Sequence, residues 1–114
     1  MTIIDNKIIN FIISNGGATI NKYGNLVKMK SGYQVSRRDL YILPVNELNI
    51  STLQAAIDLL QKRGEYLGIW IDSGNAYIDI SVRISTKQNA IIKGKELNQL
   101  SILRWRDCEC LAVE

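Results

Sequence analysis

The chain has 114 residues, of which 46% are hydrophobic and 22% charged, and its 14 basic and 11 acidic side chains give a net charge of +3. Such values are typical of a globular protein, so composition argues against global disorder and favours a single domain over residues 1–114. The small positive excess does not by itself indicate a nucleic-acid partner. The apolar run Ile3–Ile13 is interrupted by polar residues and fits neither a membrane span nor a secretory signal. We therefore expect a cytoplasmic protein with no membrane contact.

The N-terminal segment predicts a helix over residues 2–14. Thr2 and Asp5 resemble a capping box, and Gly16 is a suitable C-cap. One face of this helix collects the apolar side chains Ile4, Ile8, Phe11 and Ile12. The many isoleucines are β-branched and disfavour a helix, so a strand is the alternative for part of this segment.

Residues 17–46 predict an irregular β-meander. The segment contains four short β-like pieces, which are Ala18–Ile20, Leu26–Met29, Tyr33–Ser36 and Leu40–Pro44. Breaks at Tyr23-Gly24-Asn25 and Ser31-Gly32 interrupt them. Pro44 is expected to end the last piece or to lie on a sheet edge. Arg37, Arg38 and Asp39 fall where a loop or a bulge is expected.

A second helix is predicted from Ser51, which forms a capping box with Gln54, to the stop signal Gly64. Lys62 and Arg63 would occupy its last turn, where cations interact favourably with the helix dipole. The predicted buried stripe of this helix comprises Leu53, Ala56, Ile57 and Leu60.

A third helix is predicted to begin at Ser85, and Gly94 inside it suggests a close approach to the sheet, because glycine is a poor helix former. Ser101–Arg106 would form the last strand. A right-handed crossover would place that strand beside Tyr66–Asp72 and parallel to the strand Ala76–Arg83. These elements predict an α+β fold, with a small mixed, mainly antiparallel sheet, a central β-hairpin, and two to three helices packed on one face.

Residues 66–83 predict one β-hairpin with two chemically different faces. A two-residue loop at Gly74-Asn75 suits a type II′ turn and fixes the register. The core face then pairs Ile71 with Ile78, Ile69 with Ile80, and Leu67 with Val82. The polar and aromatic face, where we expect function, pairs Asp72 with Tyr77, Trp70 with Asp79, Gly68 with Ser81, and Tyr66 with Arg83.

The residue types that the chain lacks limit the catalytic and metal-binding sites that it could form. It has no histidine, which removes the commonest general base and the usual histidine-activated nucleophiles. A disulfide between its two cysteines, Cys108 and Cys110, would close a strained loop, and without histidine they cannot complete a four-ligand zinc site. We expect free thiols that pack a terminal strand. We expect neither a metal nor a cofactor, since no glycine-rich phosphate loop occurs.

The best carboxylate pair is Asp72 and Asp79, which are diagonal neighbours about 7–8 Å apart in the predicted register. That spacing could serve acid–base chemistry or hold a cation. Structural roles are favoured, because Asp72 begins a tight turn and Asp79 lies opposite Trp70, whose indole N–H needs an acceptor. No catalytic residue is therefore assigned.

Arginines are expected to join the aromatics on the polar face of the hairpin. With the two arginines of the last strand, the candidate binding residues are Tyr66, Trp70, Asp72, Tyr77, Asp79, Arg83, Arg104 and Arg106. Such a set suits single-stranded nucleic acid and suits a protein interface equally. The alternative is that the N-terminal meander covers this face as a second core layer. Arg37 and Arg38 are a further candidate contact for phosphate or an acidic partner, although a solvated loop is the favoured interpretation.

The hairpin and the segments around it also resemble a family of proteins. The matching stretch is Tyr66-Leu67-Gly68, Trp70-x-Asp72-x-Gly74 and Tyr77-x-Asp79-x-Ser81, then a helix and Asn98-Gln99-x-Ser101-Ile102, with Ser31-Gly32-Tyr33-x-Val35-Ser36 upstream. It resembles a family of small uncharacterised accessory proteins that are borne by phages, plasmids and other bacterial mobile elements.

The resemblance implies no enzymatic activity and carries over no catalytic residue. It implies a non-enzymatic binding protein, of which anti-CRISPR-type inhibitors that occupy a surface of a host defence nuclease are one kind. A host protein is thus the expected partner. A nucleic-acid-binding module that uses the aromatic and basic sheet face is the alternative. A homodimer is a further expectation if the strand Ala76–Arg83 lies at a sheet edge.

Overall fold

The computed structural model describes residues 5–60, 62 and 64–113 of the chain. Within them, the helices are α1 (Asn6–Asn15), α2 (Ile50–Ile57) and α3 (Lys87–Glu96). The strands are β1 (Gly17–Ile20), β2 (Leu26–Val27), β3 (Tyr33–Pro44), β4 (Glu65–Asp72), β5 (Asn75–Ile84), β6 (Ser101–Arg104) and β7 (Glu109–Ala112). A short 3-10 turn, Val45–Glu47, follows β3. None of the described helices is long and apolar enough to cross a membrane.

The described strands form one curled antiparallel sheet in the order β2-β1-β4-β5-β3-β6-β7. This arrangement confirms the predicted α+β fold with a central hairpin, which is β4–β5. Because β5 lies between β4 and β3, the expectation that Ala76–Arg83 is a sheet edge is wrong, and a homodimer cannot form through that strand. The edge strands are β2 and β7.

The long strand β3 differs most from its prediction. The predicted pieces Tyr33–Ser36 and Leu40–Pro44 belong to one strand of 12 residues, which pairs along β5 with two register shifts. With β3 beside β5 and β1 beside β4, both sides of the hairpin are occupied. The strand predicted to be the last one, β6, therefore pairs antiparallel with Tyr33 and Gln34 of β3. The predicted parallel placement of Ser101–Arg106 beside the hairpin is wrong.

Helices α1, α2 and α3 cover one face of the sheet. The core beneath α1 and α2 includes the buried side chains Ile12, Leu53, Leu67, Ile69 and Ile78. A second cluster beneath α3 joins Val35, Ala90, Ile102 and Val113. The predicted close approach at Gly94 is confirmed, because a Cβ there would lie 3.0 Å from Val113 Cγ2 and 3.3 Å from Ile102 Cγ2.

The helices begin at residues other than the predicted ones. Asp5 caps α1, Asn49 caps α2 and Thr86 caps α3, each accepting a hydrogen bond from a backbone N–H of the first turn. Gly16 ends α1 in the left-handed conformation, as predicted. Since serine, threonine, aspartate and asparagine cap helices about equally well, the sequence could not decide between neighbouring candidates. The predicted caps that are wrong are Ser51 and Ser85, and Thr2 lies outside the described residues.

The buried side chains of two helices also differ in part from prediction. In α1, Ile9 and Ile12 are buried and Phe11 is exposed, so the apolar stripe is rotated relative to the predicted one. The helix α2 buries most of its predicted stripe but ends at Ile57, well before Lys62. Ile4 and Arg63 lie outside the described residues.

The face opposite the helices lines the concave side of the curled sheet. Gln34 of β3 donates from Nε2 to Thr19 Oγ1 of β1 at 3.3 Å and to Ser81 Oγ of β5 at 2.5 Å. A flat sheet would keep β1 and β3 about 14 Å apart, since two strands lie between them. The contact therefore requires strong curl. These three side chains are buried, and they form a polar cluster on the part of the concave face that is remote from the hairpin turn.

Gly16 and Gly17 form a matched pair for testing how closely β1 lies on β4. Both have a positive φ, 81° and 152°, but only a Cβ on Gly17 would collide, at 2.6 Å from the Ile69 carbonyl oxygen. We expect Gly16→Ala to lower the free energy of unfolding by about 1–2 kcal/mol, the cost of a left-handed alanine. Gly17→Ala should lower it by about 3 kcal/mol or more, because the collision adds to that cost. Urea denaturation measures both losses, and equal losses would contradict the tight contact.

Candidate functional site

The hairpin turns at Ser73-Gly74, one residue earlier than the predicted loop. Both turn residues have a positive φ, 51° and 81°, which is the type I′ pattern. The register is therefore shifted by two residues, and every predicted cross-strand pair is wrong. Because side chains alternate with a period of two, the shift leaves the predicted members of each face together.

The observed register creates a row of apolar side chains across three strands, with a glycine of a fourth strand at one end. Trp70 lies opposite Tyr77, with Gly17 of β1 beyond Trp70 and Ile42 of β3 beyond Tyr77. Trp70, Tyr77 and Ile42 are together called the aromatic row. They are 54%, 36% and 66% exposed. The alternative that the N-terminal meander covers these aromatics is wrong, because β1 and β3 extend the sheet sideways and leave this end open.

A pair of carboxylates lies in the next row towards the middle of the sheet. Asp79 of β5 is opposite Asp39 of β3 on one side and Gly68 of β4 on the other. A Cβ on Gly68 would lie 2.6 Å from Asp79 Oδ1, so the Asp79 carboxyl group lies over this glycine. Burial, and secondly the nearby Asp39 carboxylate, raise the pKa of Asp79 from 3.8 to about 7. Asp79 therefore titrates near neutral pH.

The predicted pairing of Asp72 with Asp79 is wrong. Asp72 lies opposite Asn75 at the turn, and Trp70 faces Tyr77 rather than Asp79. The aromatic row therefore separates the two carboxylates that were expected to be neighbours. Asp72 lies between the aromatic row and the hairpin turn, and the Asp39–Asp79 pair lies between the row and the centre of the sheet. Acidic groups therefore flank the row on both sides.

The arginines expected on this face lie elsewhere or are held by other groups. Arg83 shares the concave face but lies at the end of β5 that is remote from the hairpin turn. There it donates to Ser31 O at 3.1 Å and to Ser31 Oγ at 3.2 Å. Arg104 lies opposite Tyr33 and forms ion pairs with Asp107 at 2.7 Å and Glu109 at 2.9 Å. The hydrogen bond to Asp107 raises the pKa of Arg104. Neither arginine reaches the aromatic row.

The remaining predicted contact residues are also dispersed. Tyr66 lies opposite Ser81 and is half-buried, deeper in the concave face than the aromatic row. Arg106 is exposed in the turn between β6 and β7. Arg37 and Arg38 are not in a solvated loop, because both lie within β3 at one of its register shifts. Of the predicted set, the structure thus brings together only Trp70, Asp72, Tyr77 and Asp79.

Neither cysteine packs a terminal strand as expected. Cys108 and Cys110 are free thiols, and both are exposed. Among the described residues, no cluster of three or more Cys, Asp or Glu side chains could hold a metal ion.

Sequence reasoning missed Asp39, Ile42 and Gly17 as parts of this surface. All three reach it through pairings with strands that are distant in sequence. The register shifts of β3 also break the two-residue alternation, so no local pattern could place Asp39 beside Asp79. The one available signal was the suspected bulge next to Asp39.

Comparison of the chain with protein-family models, with curated proteins and with solved structures finds no match. The resemblance of the hairpin to accessory proteins of mobile elements therefore stays a prediction. A functional proposal has to depend on the geometry and charge of the concave face.

The Asp79 carboxyl group predicts a stability that falls as pH rises. Its pKa is about 7 in the folded protein and 3.8 in the reference state. Between these values the folded protein retains a proton that the unfolded chain has released, so raising the pH favours unfolding. Below 3.8 both states are protonated and this contribution is constant. Asp79→Asn, which imitates the protonated form, should remove the fall and stabilise the protein at pH 8 by about 1–3 kcal/mol.

Thermal or urea denaturation from pH 4 to pH 8 measures this dependence. Asp72→Asn is the matched control, because Asp72 is an exposed aspartate on the same face of the same hairpin. It should leave the pH profile of the native protein unchanged. If Asp79→Asn and the native protein had the same profile, the raised pKa of Asp79 would be contradicted.

Proposed function

We propose that this protein is a non-enzymatic binding protein that docks on a partner protein through the aromatic row. The exposure of Trp70 and Tyr77 side by side carries the proposal, and Ile42 extends the apolar surface. Tryptophan and tyrosine are enriched among the residues that contribute most to interface affinity. A contiguous apolar patch in water is unfavourable and is typical of a docking site.

The charges around the aromatic row favour a basic protein surface as the partner. Asp72 lies on one side of the row and the Asp39–Asp79 pair on the other. Phosphate groups would be repelled by Asp72 and Asp39, and by Asp79 in its ionised form, whereas lysine or arginine side chains would be attracted. The arginines that would suit nucleic acid lie away from the row, and Arg104 is already paired with acidic side chains.

The resemblance to mobile-element proteins supplies a biological setting for this proposal. We infer an anti-CRISPR-type inhibitor in the cytoplasm that occupies a surface of a host defence nuclease. A nuclease binds its polyanionic substrate on a basic surface, and an acidic face with central aromatics is complementary to such a surface. Occupation of that surface would inhibit the nuclease without any chemistry by the inhibitor.

A nucleic-acid-binding module remains the alternative function. The observation that favours it is the same pair of exposed aromatics, since bases stack on tryptophan and tyrosine with little regard to sequence. It differs from the first proposal in its dependence on salt, because phosphate binding weakens steeply as salt rises.

Removal of the aromatic row tests docking on a protein. Tagged native protein captures a partner from host lysate, and the affinity of the purified partner is then measured for each variant. We expect Trp70→Ala and Tyr77→Ala each to weaken binding by at least about tenfold, because interface tryptophan and tyrosine often contribute 2 kcal/mol or more. Tyr23→Ala is the control, since Tyr23 is an exposed tyrosine in the β1–β2 connection. Full affinity in both row variants would contradict the proposal.

A direct measurement separates the two candidate functions. A labelled oligothymidine is titrated with the protein at about 50 and 200 mM salt, where phosphate contacts lose affinity by orders of magnitude. We expect no binding at either concentration. Binding that is lost at the higher salt and in Trp70→Ala would favour the nucleic-acid module over the protein-docking proposal.

A further inference from the structure

A β-bulge in β3 turns two consecutive arginines towards the helix-covered side of the sheet. The register shift between Ser36 and Arg38 makes Arg37 the extra residue. Arg38 then lies opposite Ile80, on the face that carries the core. Arg37 reaches the same side, since it forms an ion pair with Glu65 at the start of β4. Without the bulge, adjacent residues of a strand would point to opposite faces.

These two arginines line a cleft between β3 and the region that follows α2. The cleft has a volume of about 250 Å³, and its lining comprises Arg37, Arg38, Leu59, Lys62, Glu65 and Ile80. Three cations and one carboxylate leave it with two net positive charges. Leu59 and Ile80 provide an apolar floor that lowers the local dielectric and strengthens the field of these charges.

Glu65 holds one of the cations in place. Its side chain is only 4% exposed, against 37% for Arg37. Glu65 accepts from Arg37 Nη1 and, through Oε1, from the Lys62 backbone N–H at 2.9 Å. A guanidinium carries five N–H donors, so Arg37 retains further donors after this contact. A buried carboxylate that fixes an arginine at the wall of a cleft prepares that arginine to bind an anion.

We propose that this cleft binds a small oxyanion of the phosphate type, through Arg38 and Lys62 together with the arginine that Glu65 positions. The cleft is smaller than the roughly 300–1,000 Å³ of sites for drug-sized ligands, so it suits one phosphate group rather than a whole nucleotide. Arginine is the preferred ligand for phosphate because its planar fork can donate two hydrogen bonds at once. The site lies on the opposite side of the sheet from the aromatic row and is independent of the docking proposal.

Titration with inorganic phosphate at constant ionic strength tests the site. Two-dimensional NMR of the native protein should show saturable shifts at the backbone amides of Arg37, Arg38 and Lys62. Arg38→Gln should weaken this binding by at least about tenfold, since it removes a charged hydrogen-bond donor from the site. Arg106→Gln is the matched control, because Arg106 is an exposed arginine in the β6–β7 turn and should bind phosphate as the native protein does.

Two further variants keep the result decisive. Lys62→Gln replaces Arg38→Gln if the latter fails to fold, and it should weaken phosphate binding in the same direction. Arg37→Lys keeps a charge beside Glu65 but loses the fork, so phosphate affinity should fall while urea stability changes little. Absence of saturable shifts, or shifts that persist unchanged in both Arg38→Gln and Lys62→Gln, would overturn the proposal.

A parallel titration with glycerol phosphate distinguishes the source of the anion. Equal affinity for inorganic phosphate and the monoester would identify the terminal phosphate group as the recognised element. Tighter binding of inorganic phosphate would identify the free ion as the ligand. Tighter binding of an oligothymidine than of either small molecule, if abolished by Arg38→Gln, would overturn the small-ligand proposal in favour of a nucleic-acid contact.

Discussion

The register between β4 and β5 is the constraint on which the surface of this protein depends. Once Trp70 is opposite Tyr77, β1 and β3 add to the two sides of the hairpin and continue the row in both directions. The same pairing sets Asp79 against Gly68, and the pairing of β3 with β5 places Asp39 on the other side of Asp79. Side chains of the hairpin and of β3, which is distant from it in sequence, thereby form one continuous surface.

The sequence predicts the fold class and the two faces of the hairpin because both depend on alternation and not on exact pairing. A shift of two residues changes every partner of Trp70 and Asp79 but leaves both side chains on the polar face. The sequence could not predict the neighbours of the hairpin. The two register shifts in β3 interrupt its alternation, so the segment looked like two short pieces, and the positions of Asp39 and Ile42 could not be derived.

The surface around the aromatic row and the cleft at Arg37 and Arg38 lie on opposite sides of the sheet and differ in the sign of their charge. Acidic side chains border the aromatic row on the concave side, whereas Arg37 and Arg38 are turned by a bulge towards the helix side. Arg104 lies away from the aromatic row and is paired with Asp107 and with Glu109 of β7. A net charge of +3 for the whole chain therefore conceals an acidic surface and a basic cleft.

The contact between Asp79 and Gly68 limits how this surface can vary in evolution. Because the carboxyl group occupies the space above Gly68, a side chain can be accepted at position 68 only if residue 79 becomes smaller or turns away. The two positions, which are 11 residues apart in the chain and adjacent in the sheet, should consequently covary. In related sequences an alanine at position 68 should accompany a serine, alanine or glycine at position 79, and the floor beside Trp70 would then be flat and uncharged.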